Sequence, residues 1–517
     1  MKLSDFLNSK WVTFILILFV SLFFPEDFRA INCNIRGNCF TRWELGTEYW
    51  RDIRREPHLK LVEFVSGVRY PFLGFSSEET IERIERPTEK KVGLYNNSYC
   101  PPKSFHNQIP SIKVSSDQPY IIGAWYFTGW NSSNHSLISL TKKHYGREGD
   151  PWGGVRDYAL GYDPFNIGVD YSDRIPLLGF YDQMNQEIID THIRQAASRG
   201  LSFFAIYWYW DVDKNQEAAI SAPLHRFISS SQKNKIKFMI APIMLGTMGE
   251  GQSTTLENWQ NKIVPYMVDN YISDPYYLRT EDGRPIINIF SVNIKPTGGG
   301  KFSRGSLSSL RKAIEVLKVE VLRKSGRTPV ILVRPPQTNH SEDLLFIKNN
   351  LNIDGFQCFN IPIEKQGEAY ENTLFRWAKL MEKQKTFLHI PCTNTGVDNR
   401  PWYLSWGETR PDCTSLSTGC FYTTNIKSEI FEQHLKTIKE YLDENPNSTC
   451  KMLTIYAWNE WGEGGAVEPN KKEGYKYLDI IQNVFGLSSR YSTPYSPHDT
   501  ATPSIPSGFQ IGKPNNE

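Results

Sequence analysis

Between residues 118 and 487 the chain repeats one unit eight times: a short run of apolar, β-branched and aromatic residues, then a longer stretch with helical spacing. The strand candidates are Tyr120–Tyr126, Ser202–Trp208, Lys237–Ile243, Pro285–Phe290, Pro329–Val333, Gly355–Asn360, Thr386–Pro391 and Met452–Trp458. The helix candidates between them are Gln186–Ser198, Ala222–Ser230, Leu256–Asn270, Ser308–Lys324, Ser341–Asn350, Glu368–Lys383 and Lys427–Glu444, with Tyr475–Phe485 after the last strand. Ile189, Ile193 and Ala197 share one helix face, as do Phe431, Leu435, Ile438 and Leu442, so both helices have an apolar stripe to lay on a sheet. The expected fold is α/β, a (β/α)8 TIM barrel. An open doubly wound sheet lacks support, because no GxGxxG follows an early strand and no Walker motif occurs.

A barrel of this kind places its functional groups where the strands end. The first strand ends in Trp125, Tyr126 and Phe127, the second in Tyr207, Trp208, Tyr209, Trp210 and Asp211. The seventh leads to Asp398-Asn-Arg-Pro-Trp402, and the eighth ends in Trp458-Asn-Glu-Trp-Gly-Glu-Gly464, with Glu468 beyond. Aromatic faces and carboxylates around one mouth suit a neutral polyhydroxylated ligand. The candidate substrate contacts are Trp125, Tyr126, Asp182, Tyr207, Trp208, Trp210, Asp211, Trp402, Trp458, Asn459 and Trp461. Asp182 reads equally as a sugar contact, a cap for Gln186–Ser198 or a support for Arg174; Asp211 and Asp213 read equally as ligand contacts or loop solvation. Asp398 and Arg400 read as a supporting ion pair, and His192 as a residue on the solvent side of its helix.

Glu460 and Glu463 are the sharpest signal. Cleaving a glycosidic bond takes a proton donor to the leaving oxygen and a second carboxylate. Two close carboxylates among indole rings acquire unlike pKa values, so one serves as acid and the other as base at a single pH. No His or Ser arrangement suggests acyl chemistry.

The 517 residues carry a net charge of +2, which argues against a nucleic-acid backbone as the main partner. Hydrophobic residues at 39% allow a large core. An apolar run from Trp11 to Phe24, shorter than the roughly 20 residues of a spanning helix, has the size of a signal-peptide core or a short signal-anchor. It points to the secretory lumen or the cell exterior, with membrane attachment through residues 11–24 as one form of that expectation. The 8 Cys agree with export; Cys33/Cys39 and Cys413/Cys420 are spaced to clip loops, while Cys358 and Cys392 read as buried thiols. No CxxC pair and no Cys/His ligand spacing occurs, so no metal and no cofactor is expected. The expected organisation is a signal or anchor over 1–30, a stem over 31–117, the barrel over 118–487 and a disordered Ser/Pro/Thr-rich tail over 488–517.

Leu178-Gly-Phe-Tyr-Asp182, Phe204–Trp210, Asp398–Trp402 and above all Ala457-Trp-Asn-Glu-Trp-Gly-Glu-Gly464 resemble the glycoside hydrolase family 99-like group, the endo-α-mannosidases and WbsX-like domains. The likeness spans about residues 118–487, and Trp125–Trp130 looks closer to the WbsX-like branch. The resemblance implies a (β/α)8 barrel and a retaining glycosidase for α-linked oligosaccharides or polysaccharides, without metal or enzyme nucleophile. Glu460 would deprotonate the sugar's own 2-hydroxyl, which displaces the leaving group to give a 1,2-anhydro sugar. Glu463 would protonate the leaving oxygen and then activate water. The alternatives are a polysaccharide-assembly glycosyltransferase on the same barrel and a non-catalytic glycan-binding protein. The sequence shows no donor-phosphate loop for the first, and an acid/base pair has no use in the second.

Overall fold

A computed structural model describes residues 120–134, 151–163, 166–242, 255–280, 282–289, 307–335, 341–403 and 420–491. The expected signal and stem, Cys33, Cys39 and Cys413 lie outside the described residues. Eight principal strands occur among them: β1 Ile121–Tyr126, β2 Phe203–Trp208, β3 Lys237–Pro242, β4 Ile286–Ile289, β5 Val330–Val333, β6 Gly355–Gln357, β7 in two pieces (Leu388–Ile390 and Cys392–Asn394) and β8 Met452–Tyr456. All pairings between them are parallel. One sheet runs β7–β8–β1–β2–β3, using the second piece of β7; the other runs β7–β6–β5–β4, using the first. Proline has no N–H for the ladder, and Pro391 divides the two pieces. Between β3 and β4 the extended segment 276–279 pairs with both, through Leu278 N to Phe238 O (2.6 Å) and Ile286 N to Leu278 O (3.0 Å).

The strands are mostly apolar because they are covered on both faces, β2 being buried at all six positions. Helices α1 Gln186–Ser198, α2 Pro223–Ser229, α3 (helical from Leu256 to Ile272), α4 Leu307–Ser325, α5 Ser341–Leu351, α6 Tyr370–Gln384, α7 Ser428–Glu444 and α8 Lys476–Phe485 alternate with them. The Asn185 side chain accepts from Glu187 N at 3.0 Å and so starts α1; Ile189, Ile193 and Ala197 are buried beneath it. Pro265 sits mid-way along α3, and the ladder runs as wide π turns over Trp259–Ile263 and Val268–Ile272 on either side.

A polar chain crosses the interior. Asn288 of β4 donates to Gln357 of β6 at 2.8 Å, and Gln357 donates to Thr454 of β8 at 3.1 Å. It joins the two sheets through side chains of alternate strands. Cys358 and Cys392 form a disulfide with Cα atoms 5.1 Å apart, so they are not the separate buried thiols expected: β6 and β7 are ladder neighbours and bring them together. The ordered chain also extends past residue 488. Arg490 N donates to Ala197 O at 3.1 Å and its guanidinium to Lys235 O at 2.9 Å, which docks residues 488–491 on the body. Among the described residues no helix is long and apolar enough to cross a membrane.

Candidate active site

Residues beyond β8 fold into a tight hairpin in which Asn459–Glu460 pairs antiparallel with Gly465–Ala466. Glu463 N donates to Glu460 O at 3.0 Å, closing a turn that places both carboxyls on one short loop. The turn is clamped from outside. Buried Arg174 donates to the carbonyls of Trp461 (3.2 Å), Gly462 (3.4 Å) and Asp398 (2.7 Å), and Asp398 N donates to Glu463 O at 2.8 Å. Gly464 adopts φ +81° against the Arg174 guanidinium, a backbone state that glycine takes without penalty.

Both carboxyls are pushed up from the usual carboxylate range, chiefly by burial. For Glu460 the charge of Glu463 adds to the rise, and the Tyr207 hydroxyl opposes it. For Glu463 the opposition comes from Tyr456, whose hydroxyl donates to Oε2, and from the positive charge of Arg334. The charge on one carboxyl makes ionisation of the other harder. The pair's surroundings are tyrosines more than indoles: Tyr207, Tyr209 and Tyr456 all feel both carboxylates, and burial with that charge drives each phenol well above its usual range. Trp125 stacks on Tyr207 at 5.6 Å, and Phe359 meets Tyr456 at 4.8 Å and Trp125 at 5.3 Å. Arg334 lies over Phe359 at 5.0 Å. A cavity of about 560 Å³ lies behind the hairpin, lined by Tyr171, Arg174, Asp398, Arg400, Trp461 and Gly464; neither glutamate lines it. Residues 243–254, 290–306, 336–340 and 404–419, which follow β3, β4, β5 and β7, lie outside the described residues. Among the described residues no group of three or more His, Cys, Asp or Glu is gathered as for a metal ion.

The model of the family described as "Glycosyltransferase WbsX" matches residues 250–481. The glycoprotein endo-α-1,2-mannosidase of Xenopus laevis is 24% identical over 354 residues, 64% of this chain and 67% of that protein. The Mus musculus protein of the same description is 22% identical over 332 residues, 61% of each chain. The chain is similar to proteins of the glycoside hydrolase family 99-like group. Its match to the protein WxcX of Xanthomonas campestris pv. campestris is 21% over 340 residues, 60% of this chain and 43% of the other, so the chain spans less than half of that relative. Among solved structures, a glycoside hydrolase-like protein is 14% identical with a TM-score of 0.46, covering 73% of this chain and 96% of the other. The family 99 endo-α-mannosidase of Bacteroides thetaiotaomicron is 17% identical with a TM-score of 0.42, covering 71% and 96%.

The sequence-derived contacts divide into two sets. Tyr207 faces the carboxylates, Trp125 lies against Tyr207, and Trp402 packs its ring on Gly462. The others turn elsewhere. Tyr126 is buried against His192, and Trp458 against His192 and Phe204. Trp208 donates to Glu217 at 2.6 Å, with half-buried Trp210 beside it. Asn459 is fully buried with its amide spent on the Phe127 N–H and carbonyl (2.8 and 2.9 Å), so it fixes the end of β1 and offers nothing to a ligand. Trp461 is buried with its indole N–H on Glu468. Asp182 accepts from Ser132 N and Met184 N in a local turn; it neither caps α1 nor holds Arg174. Asp211 accepts from Lys214 N at 3.0 Å, which holds its carboxyl low and identifies it as a hairpin group. Asp398 and Arg400 form the expected two-point ion pair, 2.9 and 2.7 Å. His192 is fully buried, contrary to the solvent-side reading, because Tyr126, Tyr181 and Glu468 converge on it from other segments.

The groups that sequence reasoning missed are Tyr456, Phe359 and Arg334; Tyr209 stands among its strand-end residues but not among its candidate contacts. Arg334 is the first residue after β5, a strand end that carries no carboxylate or indole to draw attention. Arg334→Gln is expected to raise the Glu463 pKa, since a neutral amide withdraws the opposing charge. Under a catalytic role for Glu463, one limb of the pH–rate profile should move to higher pH, while the variant's circular dichroism stays that of the parent.

Proposed function

We propose that the chain is a retaining glycoside hydrolase for α-linked, mannoside-like glycans, built on a closed (β/α)8 barrel. The strand order supports closure: Pro391 alone separates the two pieces of β7, segment 276–279 bridges β3 and β4, and the Asn288–Gln357–Thr454 chain spans the interior. One observation carries the enzymatic reading. Glu460 and Glu463 occupy a single clamped turn, both desolvated and electrostatically coupled, with a hydroxyl on each and a cation on one side.

In the proposed cycle bound substrate places the pair's proton on Glu463, against the resting preference that burial and the charge of Glu463 give to Glu460, and Glu460 then takes the proton of the sugar's 2-hydroxyl as that oxygen attacks the anomeric carbon. Glu463 gives its proton to the leaving oxygen, then draws a proton from the water that opens the 1,2-anhydro sugar, while Glu460 returns its proton to the 2-oxygen released in that step. Both steps invert, so configuration is retained. The disulfide between Cys358 and Cys392 supports an oxidising compartment, and with it secretion or anchoring through residues 11–24. Transfer to an acceptor sugar is the second reading, favoured by the description of the matching family as a glycosyltransferase. A digest of a glycan library, with the product anomer read by NMR and an acceptor sugar present in a parallel tube, tests both. Release of the α anomer supports the hydrolase. Extended acceptor without free reducing sugar supports transfer, and an inverted product overturns the proposed chemistry.

A further inference from the structure

The region beneath the hairpin holds a polar network that the proposed chemistry does not use. Glu468 is buried, and three donors converge on its two oxygens. His192 Nε2 lies 3.0 Å from Oε1, while Tyr181 Oη (2.7 Å) and Trp461 Nε1 (2.9 Å) donate to Oε2. The other ring nitrogen of His192, Nδ1, lies 2.8 Å from Tyr126 Oη. Tyr126 in turn accepts from Gln183 Nε2 at 3.2 Å, and Gln183 is tied to the β1 exit through Phe127 O (2.8 Å) and Trp130 N (2.9 Å).

The donor count assigns the protons. Gln183 can only donate to Tyr126 from Nε2, so the Tyr126 hydroxyl hydrogen is available for His192 Nδ1. Nε2 then carries the imidazole hydrogen and donates to Glu468. Each donor of the chain then has an acceptor with His192 in one tautomer, Glu468 Oε2 accepting twice and Gln183 Nε2 donating twice.

We infer that Glu468 is a positioning residue which, oriented by His192, sets the turn bearing Glu460 and Glu463. The link is Trp461. It lies between the two glutamates in sequence, and its indole N–H is anchored on Glu468 from inside while Arg174 holds the carbonyls of Trp461 and Gly462 from outside. Glu468 N also donates to Trp458 O at 2.9 Å, tying the returning strand of the hairpin to its start. The turn is thus gripped from two sides, and loss of the inner grip leaves the carboxyl separation free to drift. This inference rests on the catalytic reading of the glutamate pair.

The test uses Glu468→Gln and Trp461→Phe in the full chain, with Glu463→Gln as control, on the glycan that the library digest shows to be cleaved. A Gln amide must turn its NH2 either toward His192 or toward both Tyr181 and Trp461. Facing His192, it reverses the imidazole tautomer and leaves the Tyr126 hydroxyl hydrogen needing a new acceptor. Expected for Glu468→Gln is a fall in kcat of about 10–100-fold, KM within about twofold, and a displaced pH–rate profile, from sub-ångström misplacement of the pair. Trp461→Phe keeps an aromatic ring but loses the pyrrole half of the indole with its one donor, and it should show a milder form of the same change. It serves as the test should Glu468→Gln fail to fold. Non-additive losses in the double variant are expected, because both act on one bond. Wild-type kcat and pH profile in Glu468→Gln and Trp461→Phe, with Glu463→Gln inactive, overturn the inference alone. Full activity in Glu463→Gln overturns the catalytic reading beneath it.

Discussion

Glu460→Gln should cost about 10³-fold in turnover and, at neutral pH, raise the melting temperature. The activity loss follows from removing a base whose proton acceptance no neighbour can replace: Tyr207, Tyr209 and Tyr456 are phenols held well above their ordinary pKa. The stability gain follows from the same burial. In the unfolded chain a Glu ionises near pH 4.3 or so, whereas in the folded chain the Glu460 carboxyl holds its proton to higher pH because it is desolvated beside Glu463. Above the unfolded value the folded state binds more protons than the unfolded one, so stability falls as pH rises toward the folded pKa. A neutral Gln does not pay that penalty, and its oxygen can still accept from Tyr207. The difference in melting temperature should be near zero at pH 4 and grow toward pH 7, read by calorimetry at both pH values. Retained turnover, or a melting temperature that drops at pH 7, would contradict the site described above.

The alternation of strands and helices was legible because it is local. Helix α1 has the expected bounds, since Asn185 caps it and Ile189 and Ile193 mark its buried face within one segment. The Glu460/Glu463 pair was legible for the same reason: three residues of sequence separation bring the two together however the rest folds. What escaped depends on contacts between distant segments. His192 has a polar side chain on an amphipathic helix, and only the arrival of Glu468 from 276 positions away makes a buried site for it. Cys358 and Cys392 meet because β6 and β7 pair in register, a relation that the spacing of 34 does not encode. The indoles mislead by abundance. A Trp at a strand end can face the mouth or the helix layer, and Trp208 and Trp458 take the second course. Arg334 and Phe359 face the carboxylate side from strand ends that lack any conspicuous motif.

Gly462→Ala should lower kcat/KM by about 10²-fold, the cost of shifting reacting groups by an ångström or so. A Cβ built on Gly462 would sit 1.7 Å from Cε3 of Trp402, far inside contact distance. The indole has little room to retreat, being set edge-on against Phe127 at 5.8 Å and Trp130 at 5.3 Å. The turn must therefore move, and Glu460 and Glu463 move with it. Gly474→Ala is the matched control: it also puts a side chain on a tight turn, at φ +61°, but its Cβ meets nothing within 4 Å. That variant should lose about 1 kcal/mol of stability through backbone strain and keep its kinetics. The collision itself is checked by a double variant. If Trp402 is the obstacle, Trp402→Ala added to Gly462→Ala should cost less than the two single losses combined, since deleting the ring removes the reason for the turn to shift. Additive losses, or a Gly462→Ala enzyme with the parent's kcat/KM, would show that the turn tolerates the methyl group and that the ring against it does not hold the carboxylates in place.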